Sequence, residues 1–518
     1  MAYQVDKLSI ELHGGDFLVK DLTFNINPKD RIAIIGEEGV GKSTILKAMM
    51  GDQSIESYVK VSGRGFDKSV KVGYCEQILS SAWNDFSPMQ YLLKNDVFAE
   101  ENWELYNELG KIYQICDSLG IDKSLIEDER SIETLSGGEK VKLQLCKVLI
   151  YPCDILLLDE PTNDLDLNTL EWLEDFIKNV KLPVIYISHD VKLLETTATR
   201  ILHVHYSRNR KKAEYTIENM GYKEFVEKRE KKMARQEQIA KLQAREYKER
   251  KETLGGIKSA VRSEQIRNHD PSSRRLLNKK MANVLAQEGR LQKFHENMES
   301  RPQYDEYMSL SFFYDTSNPT KKTVLSVEIP ELKIGARVLS KDIKVEIVGN
   351  EKVAVLGKNG CGKSTLLKEV YNLLKQSDTD VKVAYIPQNY NEYFNLNQTP
   401  VEFLNARIAK ESLEEISVET YLSVLKFARE DMLKPISALS YGQKVKIILL
   451  DLTLNYYNLL ILDELTRNLS PLSITVINQL FKSFPGAILA VTHDRNFLEE
   501  VIDKKIILTK KGLVESQI

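Results

Sequence analysis

An ordered set of four short motifs occurs twice in this chain of 518 residues. In chain order, the first copy consists of GEEGVGKST at 36–44, LSGGEK at 135–140, ILLLDEPTNDLD at 155–166 and ISHD at 187–190. The second copy consists of GKNGCGKST at 357–365, LSYGQK at 439–444, LLILDELTRNLS at 459–470 and VTHD at 491–494. Such internal repetition indicates two copies of one domain, separated by a segment of different composition.

The distances between the motifs show where the two copies differ in length. The last three motifs recur at an offset of 304 residues, whereas the first recurs at 321, so the first copy is 17 residues longer between its first and second motifs. That region includes 80–133, which is rich in Trp, Tyr and Leu and predicts a helical subdomain. Whether this subdomain has a further role is left open by the sequence.

Apolar runs precede the motifs in a pattern typical of an α/β domain. RIAIIG and KVAVLG lead into the glycine-rich loops, and ILLL and LLIL lead into the paired acidic residues. Continuous apolar runs of this length are typical of strands buried on both faces, as in a parallel sheet covered by helices. The predicted fold class of each copy is therefore α/β.

The pattern G-x-x-x-x-G-K-[ST] that opens each copy is typical of a loop that binds the phosphates of ATP. Backbone N–H groups at the start of a helix surround the phosphates, the lysine neutralises their charge, and the hydroxyl after it can bind Mg²⁺. The predicted ATP-binding residues of the loops are Gly36, Gly39, Gly41, Lys42, Ser43 and Thr44, and Gly357, Gly360, Gly362, Lys363, Ser364 and Thr365.

Acidic residues, a glutamine and a histidine recur around each loop at positions suited to phosphoryl transfer. Each Asp ends a buried strand, where its carboxylate can hold Mg²⁺, and the Glu that follows can orient or deprotonate the attacking water. The predicted metal ligands are Ser43, Gln77 and Asp159, and Ser364, Gln388 and Asp463. The predicted catalytic residues are Glu160 and His189, and Glu464 and His493.

The segment between the two copies is strongly basic. From 221 to 302 it contains 21 Lys and Arg against 12 Asp and Glu, a net charge of +9 in a chain whose total is −3. This asymmetry indicates a polyanionic partner. The basic residues expected to contact this partner, which the family resemblance described below implies is RNA, are Lys231, Lys232, Arg235, Lys241, Arg245, Lys258, Arg262 and Arg267. A solvated, charged linker without a partner is the alternative interpretation.

The same segment predicts a helical hairpin. No Gly or Pro occurs from 223 to 252, whereas 254–273 contains a Gly pair and a Pro and therefore predicts the tip, with a turn at the glycines. Apolar residues then follow at intervals of seven from Leu277 to Met298, the spacing of an antiparallel helix pair. The predicted domains are an α/β domain at 1–220, a basic helical hairpin at 221–302 and a second α/β domain at 303–518.

Cysteine content and hydropathy restrict the compartment. The five cysteines are odd in number and lack the spacing of metal ligands, which favours reduced thiols in a cytoplasmic protein. The longest apolar runs, such as 447–450, are far shorter than the roughly 20 residues of a membrane-spanning helix. We therefore expect no insertion into a membrane.

Across both copies the motifs resemble those of the ATP-binding cassette superfamily. In that superfamily, the signature motif of one cassette closes over the nucleotide held by the other. The resemblance implies that the first signature caps the ATP at Lys363 and that the second caps the ATP at Lys42. The signature residues that it adds to the ATP sites are Ser136, Gly137 and Gly138 in the first cassette, and Ser440 and Gly442 in the second.

The second cassette departs from the superfamily pattern at three positions. Tyr441 replaces a signature glycine, Leu465 replaces a proline, and Ser470 replaces the final aspartate. Both glutamates remain, so hydrolysis is expected at both sites. We expect unequal rates, because the bulk of Tyr441 would hinder closure over the site on Lys42.

The whole chain resembles the ABC-F family of ribosome-associated ATPases. The resemblance is carried by the tandem cassettes, LSGGEK in place of the commoner LSGGQ, DEPTNDLD, NMGYKEFVEKRE at 219–230, and the basic hairpin. It implies a cytoplasmic monomer that closes its cassettes on ATP and Mg²⁺ and enters the E site of the 70S ribosome. The hairpin is then expected to reach 23S rRNA and peptidyl-tRNA near the peptidyl transferase centre.

The degenerate second cassette and the long hairpin favour the branch of this family that protects ribosomes from large-subunit antibiotics. A general or stalled-ribosome translation factor of the same family is the first alternative. A tandem ATPase subunit of an importer is the second, although it leaves the basic hairpin unexplained. A DNA-repair ATPase is disfavoured, because such proteins insert a longer coiled coil or zinc-binding cysteines within a cassette, and no DNA partner is expected.

Overall fold

Both motif copies fold into cassettes of strands and helices. The computed structural model describes residues 3–37, 39–107, 109–127, 129–163, 165–206, 213–267, 270–298, 310–312, 322–377, 380–408, 417–466 and 469–515. The chain forms two compact units, one made of Met1–Tyr222 with Asp305–Ile518 and the other of Lys223–Tyr304. Both cassettes belong to the first unit, so the three-domain division remains a prediction. In the described part of the chain, no helix is long and apolar enough to cross a membrane.

The first cassette precedes the helical hairpin in the chain. Its strands are β1 (Tyr3–Leu12), β2 (Phe17–Ile26), β3 (Arg31–Gly36), β4 (Val59–Arg64), β5 (Val72–Cys75), β6 (Ile155–Asp159), β7 (Val184–Ile187), β8 (Arg200–Tyr206) and β9 (Ala213–Glu218). Its helices are α1 (Lys42–Met50), α2 (Pro88–Leu93), α3 (Trp103–Asn107), α4 (Leu109–Ser118), α5 (Lys123–Glu127), α6 (Gly137–Ile150), α7 (Leu167–Asn179) and α8 (Val191–Thr197).

The hairpin consists of α9 (Tyr222–Arg267) and α10 (Pro271–Glu296), and the second cassette follows it. The strands of that cassette are β10 (Thr323–Ile334), β11 (Arg337–Val348), β12 (Lys352–Leu356), β13 (Val383–Ile386), β14 (Leu459–Asp463), β15 (Ala487–Val491), β16 (Lys504–Thr509) and β17 (Gly512–Glu515). Its helices are α11 (Lys363–Gln376), α12 (Pro400–Arg407), α13 (Val418–Val424), α14 (Arg429–Met432), α15 (Tyr441–Leu454), α16 (Pro471–Lys482) and α17 (Arg495–Glu500).

A six-stranded sheet forms the centre of each cassette, in the order β5-β6-β7-β3-β8-β9 and β13-β14-β15-β12-β16-β17. The strands pair in parallel except for β9 and β17 at one edge. Strands β3, β6 and β7, which end at three of the motifs, are neighbours in their sheet. Because the carboxyl ends of parallel strands meet at one edge, motifs far apart in sequence converge there.

The central strands are buried on both faces, which explains their uninterrupted apolar runs. Every residue of β3 and β6 is buried, as is every residue of β14 and β15. Each cassette packs its own core, with Ile34 and Leu157 in one and Ile461 and Leu489 in the other, all fully buried. The predicted α/β fold class with an intervening helical hairpin is confirmed.

Within the longer region of the first cassette, the segment 80–133 contains helices α2 to α5, in agreement with the predicted helical subdomain. Helix α2 begins with a capping box, in which the hydroxyl of Ser87 accepts from the N–H of Gln90 and the Gln90 side chain accepts from the N–H of Ser87. Pro88 occupies the first position of the helix, where its fixed φ suits a helix start.

The prediction that Gly255 and Gly256 form the turn of the hairpin is wrong. Helix α9 runs through both glycines to Arg267, over 46 residues, or about 70 Å. The glycine pair costs roughly 2 kcal/mol of helix stability relative to alanine. The buried side chains of Leu254 and Val261 flank it and offset that cost.

The turn lies between Arg267 and Pro271, and Asn268 and His269 are outside the described residues. Asp270 caps α10, since its carboxylate accepts from the N–H of Ser273 at 2.9 Å. A proline directly after an aspartate N-cap is a strong helix start, and it outweighs the weaker signal of the glycine pair.

The two helices of the hairpin carry matching apolar seams. On α10, the buried seam residues are Leu277, Val284 and Leu291. On α9, residues at intervals of seven form a second seam that the sequence pattern had not revealed, namely Met233, Ala240, Tyr247, Leu254 and Val261. Two polar residues of α10 also contact α9: Glu288 accepts from Lys258 Nζ at 2.7 Å, and the His295 ring lies 4.5 Å from Tyr247.

Candidate functional site

Each phosphate loop ends in a left-handed glycine that caps the next helix. Gly41 has φ 89° before α1, and Gly362 has φ 102° before α11. A Cβ on Gly41 would lie 2.9 Å from Leu18 Cδ1, and one on Gly362 would lie 2.6 Å from Leu339 Cδ1. No side chain caps either helix, so each N-terminus can bind an anion through its first backbone N–H groups.

The lysine of each loop folds back over the loop carbonyls. Lys42 Nζ donates to the carbonyls of Gly36 and Glu37, both at 3.1 Å. Lys363 Nζ donates in the same way to Gly357 at 2.9 Å and to Lys358 at 3.3 Å. Both lysines are buried, so each holds a positive charge beside the helix N-terminus where phosphates would bind.

A serine and an aspartate meet beside each loop. Ser43 Oγ donates to Asp159 Oδ1 at 2.9 Å, and Ser364 Oγ donates to Asp463 Oδ1 at 3.1 Å. Tyr74 also donates to Asp159, at 3.1 Å. Burial raises the pKa of Asp159 and raises that of Asp463 to about 6. Buried carboxylate and hydroxyl oxygens are the donors that Mg²⁺ prefers, and a cation would compensate their desolvation.

The adjacent glutamates have unusual backbones. Glu160 has φ 47° and Glu464 has φ 52°, in the left-handed region that non-glycine residues seldom adopt. Such strain costs about 1–3 kcal/mol and is typical of functional sites. The sequence motif does not reveal this conformation.

Several donors surround Glu160. Gln77 Nε2 donates to Oε2 at 2.8 Å, Asn163 Nδ2 donates to Oε2 at 2.9 Å, and His189 Nε2 lies 3.2 Å from Oε1. Burial acts to raise the pKa of Glu160, but the hydrogen bond and charge of His189, with Asn163 and Lys42, outweigh it and lower the pKa to about 2. Glu160 is therefore an anion at neutral pH.

The second site has the same arrangement of side chains, but its histidine lies farther from the glutamate. Gln388 Nε2 donates to Glu464 Oε2 at 2.9 Å, whereas His493 Nε2 lies 3.6 Å from Glu464 Oε1. Gln77 and Gln388 were predicted as metal ligands, but in the structure their amide nitrogens contact the glutamates. The roles of these side chains in catalysis remain predictions.

The first signature and the second phosphate loop line one cavity of about 650 Å³, a volume within the usual range for a small-molecule site. Gly137 and Lys140 lie on one side of it and Lys363 and Ser364 on the other. The other predicted residues in its lining are Gln77, His189, Gly360, Gly362, Thr365, Gln388, Glu464 and His493. Lys140, Asn163 and Ile334, which were not among the predicted site residues, also line this cavity.

The signature serines cap their own helices. Ser136 and Glu139 form a capping box at the start of α6, and Ser440 forms one with Gln443 at α15. Gly138 packs closely, since a Cβ there would lie 3.0 Å from Thr169 Oγ1. These contacts stabilise the first turns of α6 and α15.

The ATP site on Lys42 also contacts a residue of the opposite cassette. The backbone carbonyl of Leu469 is hydrogen-bonded to His189 Nδ1. Tyr441 was expected to place its bulk against the nucleotide at Lys42. Its side chain turns into its own cassette instead, where its hydroxyl donates to the carbonyl of Gln388 at 3.1 Å.

An arginine that the motifs did not reveal joins the two cassettes. Arg495, the first residue of α17, donates to Glu174 at 2.8 Å and to Asp190 at 3.0 Å. The side chains of all three residues are about nine-tenths buried. The position of Arg495 is occupied by Val191 in the first cassette, so this bridge has no mirror-image copy.

We expect Arg495→Ala to weaken the association of the cassettes. Removing one partner of a buried ion pair costs about 2–5 kcal/mol, because the carboxylates stay behind without their cation. The ATP concentration for half-maximal turnover should therefore rise by tenfold or more. The matched control is Lys192→Ala, whose pair with Glu499 also joins the cassettes but is much more exposed to solvent. Equal shifts in both variants would contradict the importance of the buried bridge.

Comparison with known proteins connects these sites to a family. The model of the family described as ABC transporter matches residues 19–163 and 340–467, which together make up more than half of the chain. Relatives include the ribosome protection protein VmlR of Bacillus subtilis (strain 168), which is 29% identical over 95% of this chain and 84% of its own length. The putative ATP-binding protein YdiF of the same strain is 28% identical, over 99% of this chain and 81% of its own length.

A more distant relative is ABC transporter F family member 5 of Arabidopsis thaliana, which is 24% identical over 97% of this chain and 74% of its own length. Among solved structures, the archaeal ribosome recycling factor aABCE1, in its complex with the ribosomal stalk protein aP1, aligns with a TM-score of 0.57. That alignment covers 98% of this chain and 90% of the other at 16% identity, which supports a common fold.

Proposed function

The chain belongs to the ABC transporter family, with ABC-F proteins among its relatives, and on this premise we propose that it is an ATPase that acts on the ribosome. ATP would bind at the two phosphate loops, between cassettes that close on each other. The observation that supports closure is the cavity shared by Gly137 of one cassette and Lys363 of the other.

Each loop would hold the triphosphate through backbone N–H groups and the buried lysine. Ser43 with Asp159, and Ser364 with Asp463, would hold Mg²⁺, since their oxygens lie together and the carboxylates are buried. When bound, Mg²⁺ supplies positive charge to the β- and γ-phosphates. Gly137 and the signature helix would then approach the γ-phosphate at the second site.

Glu160 and Glu464 would act as general bases. A water oxygen attacks the γ-phosphorus, the bond from that phosphorus to the bridging oxygen breaks, and ADP leaves with that electron pair. The proton of the water passes to the glutamate carboxylate and then to solvent. Gln77 and Gln388 orient these carboxylates by donating to them.

The distribution of charge on the hairpin supports a ribosomal partner. Within the described residues, exposed cations near the turn form no ion pair, and these are Arg262, Arg267, Arg274, Arg275, Lys279 and Lys280. On α9 but farther from the turn, Lys231, Lys241 and Arg245 pair with glutamates four positions away on the same helix. Cations without internal partners near the turn suit contact with RNA phosphates.

Within this function, protection of the ribosome from large-subunit antibiotics is the specific activity that we propose. In this scheme the protein is cytoplasmic, enters the E site in its ATP-bound form, and brings the hairpin to 23S rRNA and peptidyl-tRNA. The support is the relative VmlR, whose name describes ribosome protection, together with the exposed apolar residues Ile266 and Leu276 beside the turn.

Reversing charge near the turn should weaken binding to 70S ribosomes and flatten its dependence on salt. The slope of log affinity against log salt falls by about 0.7–0.9 for each phosphate that the protein no longer neutralises. We expect the largest change from Arg274→Glu, Arg275→Glu, Lys279→Glu and Lys280→Glu combined, measured by co-sedimentation with ATP over a salt series. A smaller change is expected from reversing Lys231, Lys232, Arg235, Lys241 and Arg245, because several of these already pair with glutamates.

A control with the same change in charge separates local contact from a general effect. Exposed lysines of the first cassette suitable for reversal to glutamate are Lys29, Lys60, Lys68 and Lys71. An equal change of slope in the control and the turn variant would mean that the hairpin cations are only a solvated helix face. Failure of the wild type to co-sediment would refute the ribosomal partner.

A further inference from the structure

Two tyrosines stack in the second cassette where the first cassette has neither ring. Tyr441 is the first residue of α15, and its ring lies 4.4 Å from that of Tyr390 at an interplanar angle of 25°. The corresponding positions in the first cassette are Gly137, at the start of α6, and Leu79, two residues after Gln77. The two departures from the first cassette therefore occur together and contact each other.

The hydroxyl groups of this pair hold both sides of Glu464. Tyr441 Oη donates to the backbone carbonyl of Gln388 at 3.1 Å, and Gln388 Nε2 donates to Glu464 Oε2 at 2.9 Å. Tyr390, which is fully buried, donates to the backbone carbonyl of Leu465, the residue directly after Glu464. Both segments that determine the position of this carboxylate are thus tied to one aromatic stack.

A further hydrogen bond ties the segment that follows Gln388 to the signature helix. Lys444, one turn into α15, donates to the Asn391 side chain at 2.9 Å. In the first cassette the equivalent lysine, Lys140, donates to the carbonyl of Glu133 instead, at 3.3 Å. Among the described residues, tyrosine side chains join the signature helix to the segment after the glutamine (Gln388 or Gln77) in the second cassette but not in the first.

We infer that Tyr441 and Tyr390 are positioning residues for Glu464, and that they link the two ATP sites. This inference rests on the proposed role of Glu464 as general base. The signature helix that begins at Tyr441 would close over the nucleotide at Lys42, while the stack holds the base of the site at Lys363. Movement of α15 at one site therefore moves Gln388 and Glu464 at the other.

Tyr441→Phe tests the link with the smallest change, because the ring and its stacking remain while the bond to Gln388 is lost. In a Glu160→Gln background, where turnover comes from the site on Lys363, we expect kcat to fall about threefold to tenfold, which corresponds to one hydrogen bond. The KM for ATP should stay unchanged, since the phosphate loop is untouched. Tyr390→Phe should act in the same direction.

In a Glu464→Gln background, turnover comes from the site on Lys42, and Tyr441→Phe should change kcat by less than twofold. The matched control is Tyr371→Phe, whose ring packs against Tyr385 in the same cassette and should leave kcat unchanged in both backgrounds. Tyr441→Gly restores the glycine of the first cassette and should lower turnover further at the Lys363 site.

The outcomes separate this inference from its premise. Unchanged kcat for Tyr441→Phe in both the Glu160→Gln and the otherwise wild-type protein would overturn the inference, as would equal losses in the two backgrounds. Faster turnover of Tyr441→Gly with Glu464→Gln would show instead that the ring obstructs the site on Lys42. If Glu464→Gln leaves the turnover of the Glu160→Gln protein intact, the base assignment fails, whatever the tyrosines do.

Discussion

Replacing Glu160 and Glu464 together by glutamine should lower ATP turnover by about 100- to 10,000-fold while ATP binding persists. Glutamine has nearly the same shape as glutamate but takes up no proton, so the attacking water loses its base. The phosphate loops, their lysines and the serine–aspartate pairs stay unchanged and continue to hold the nucleotide. Turnover is measured by phosphate release and binding by equilibrium titration with labelled ATP.

The same double variant should remain on ribosomes after ATP is added and should inhibit growth when it is overproduced. Closure would proceed, but the hydrolysis that reopens the cassettes would not. The control applies the same chemical change to two exposed glutamates, Glu171→Gln with Glu500→Gln, and should hydrolyse ATP normally. Normal turnover in the Glu160/Glu464 variant would remove both residues from the catalytic step.

The motifs predicted the layout of the sites because three of the four in each copy follow or end a strand of a parallel sheet. Once β3, β6 and β7 lie side by side, Lys42, Asp159 and His189 must converge. Backbone strain was not predictable in this way: the residue types of the motif do not specify the left-handed conformation of Glu160 and Glu464. Local patterns specify which strand end carries a residue, and tertiary contacts specify its orientation.

Tyr441 illustrates the same limit. A tyrosine in place of a glycine predicts an obstruction if the side chain is assumed to point at the nucleotide. Its direction depends on Tyr390, 51 positions earlier, and no motif connects these two residues. Arg495 is a similar case, since its partners Glu174 and Asp190 belong to the other cassette and lie more than 300 positions away.

The hairpin shows how cooperative packing overrides local propensity. A glycine pair is a helix breaker on average, but the heptad spacing of Ala240, Tyr247, Leu254 and Val261 extends across it. Val261 belongs to this seam and is buried, so it is not available to a partner. A Gly/Ser linker over 258–269 would therefore remove the seam as well as the surface, and would not isolate the function of the tip.

A sharper test of the tip changes only side chains that face solvent beside the turn. The residues to replace with alanine are Arg262, Ile266, Arg267 and Leu276, all exposed in the structure. The apolar seam and the Lys258–Glu288 bridge remain, so the hairpin should keep its fold. On the proposed function, these side chains are the ones that contact RNA bases and phosphates by stacking and charge.

This tip variant should hydrolyse ATP normally but lose the rescue of translation in a cell-free system inhibited by a lincosamide, a pleuromutilin or a streptogramin A. The assay uses protein concentrations that saturate the ribosomes, so that weaker binding does not imitate the loss. The matched control replaces two apolar and two basic residues of α9 that lie farther from the turn, namely Ile239, Lys241, Leu242 and Arg245, and it should retain rescue. These residues are also exposed and of the same types, so the two variants differ in distance from the turn and in the ion pairs that Lys241 and Arg245 form with glutamates. Rescue by the tip variant equal to that of the wild type would mean that the tip only connects the helices and that protection depends on another surface.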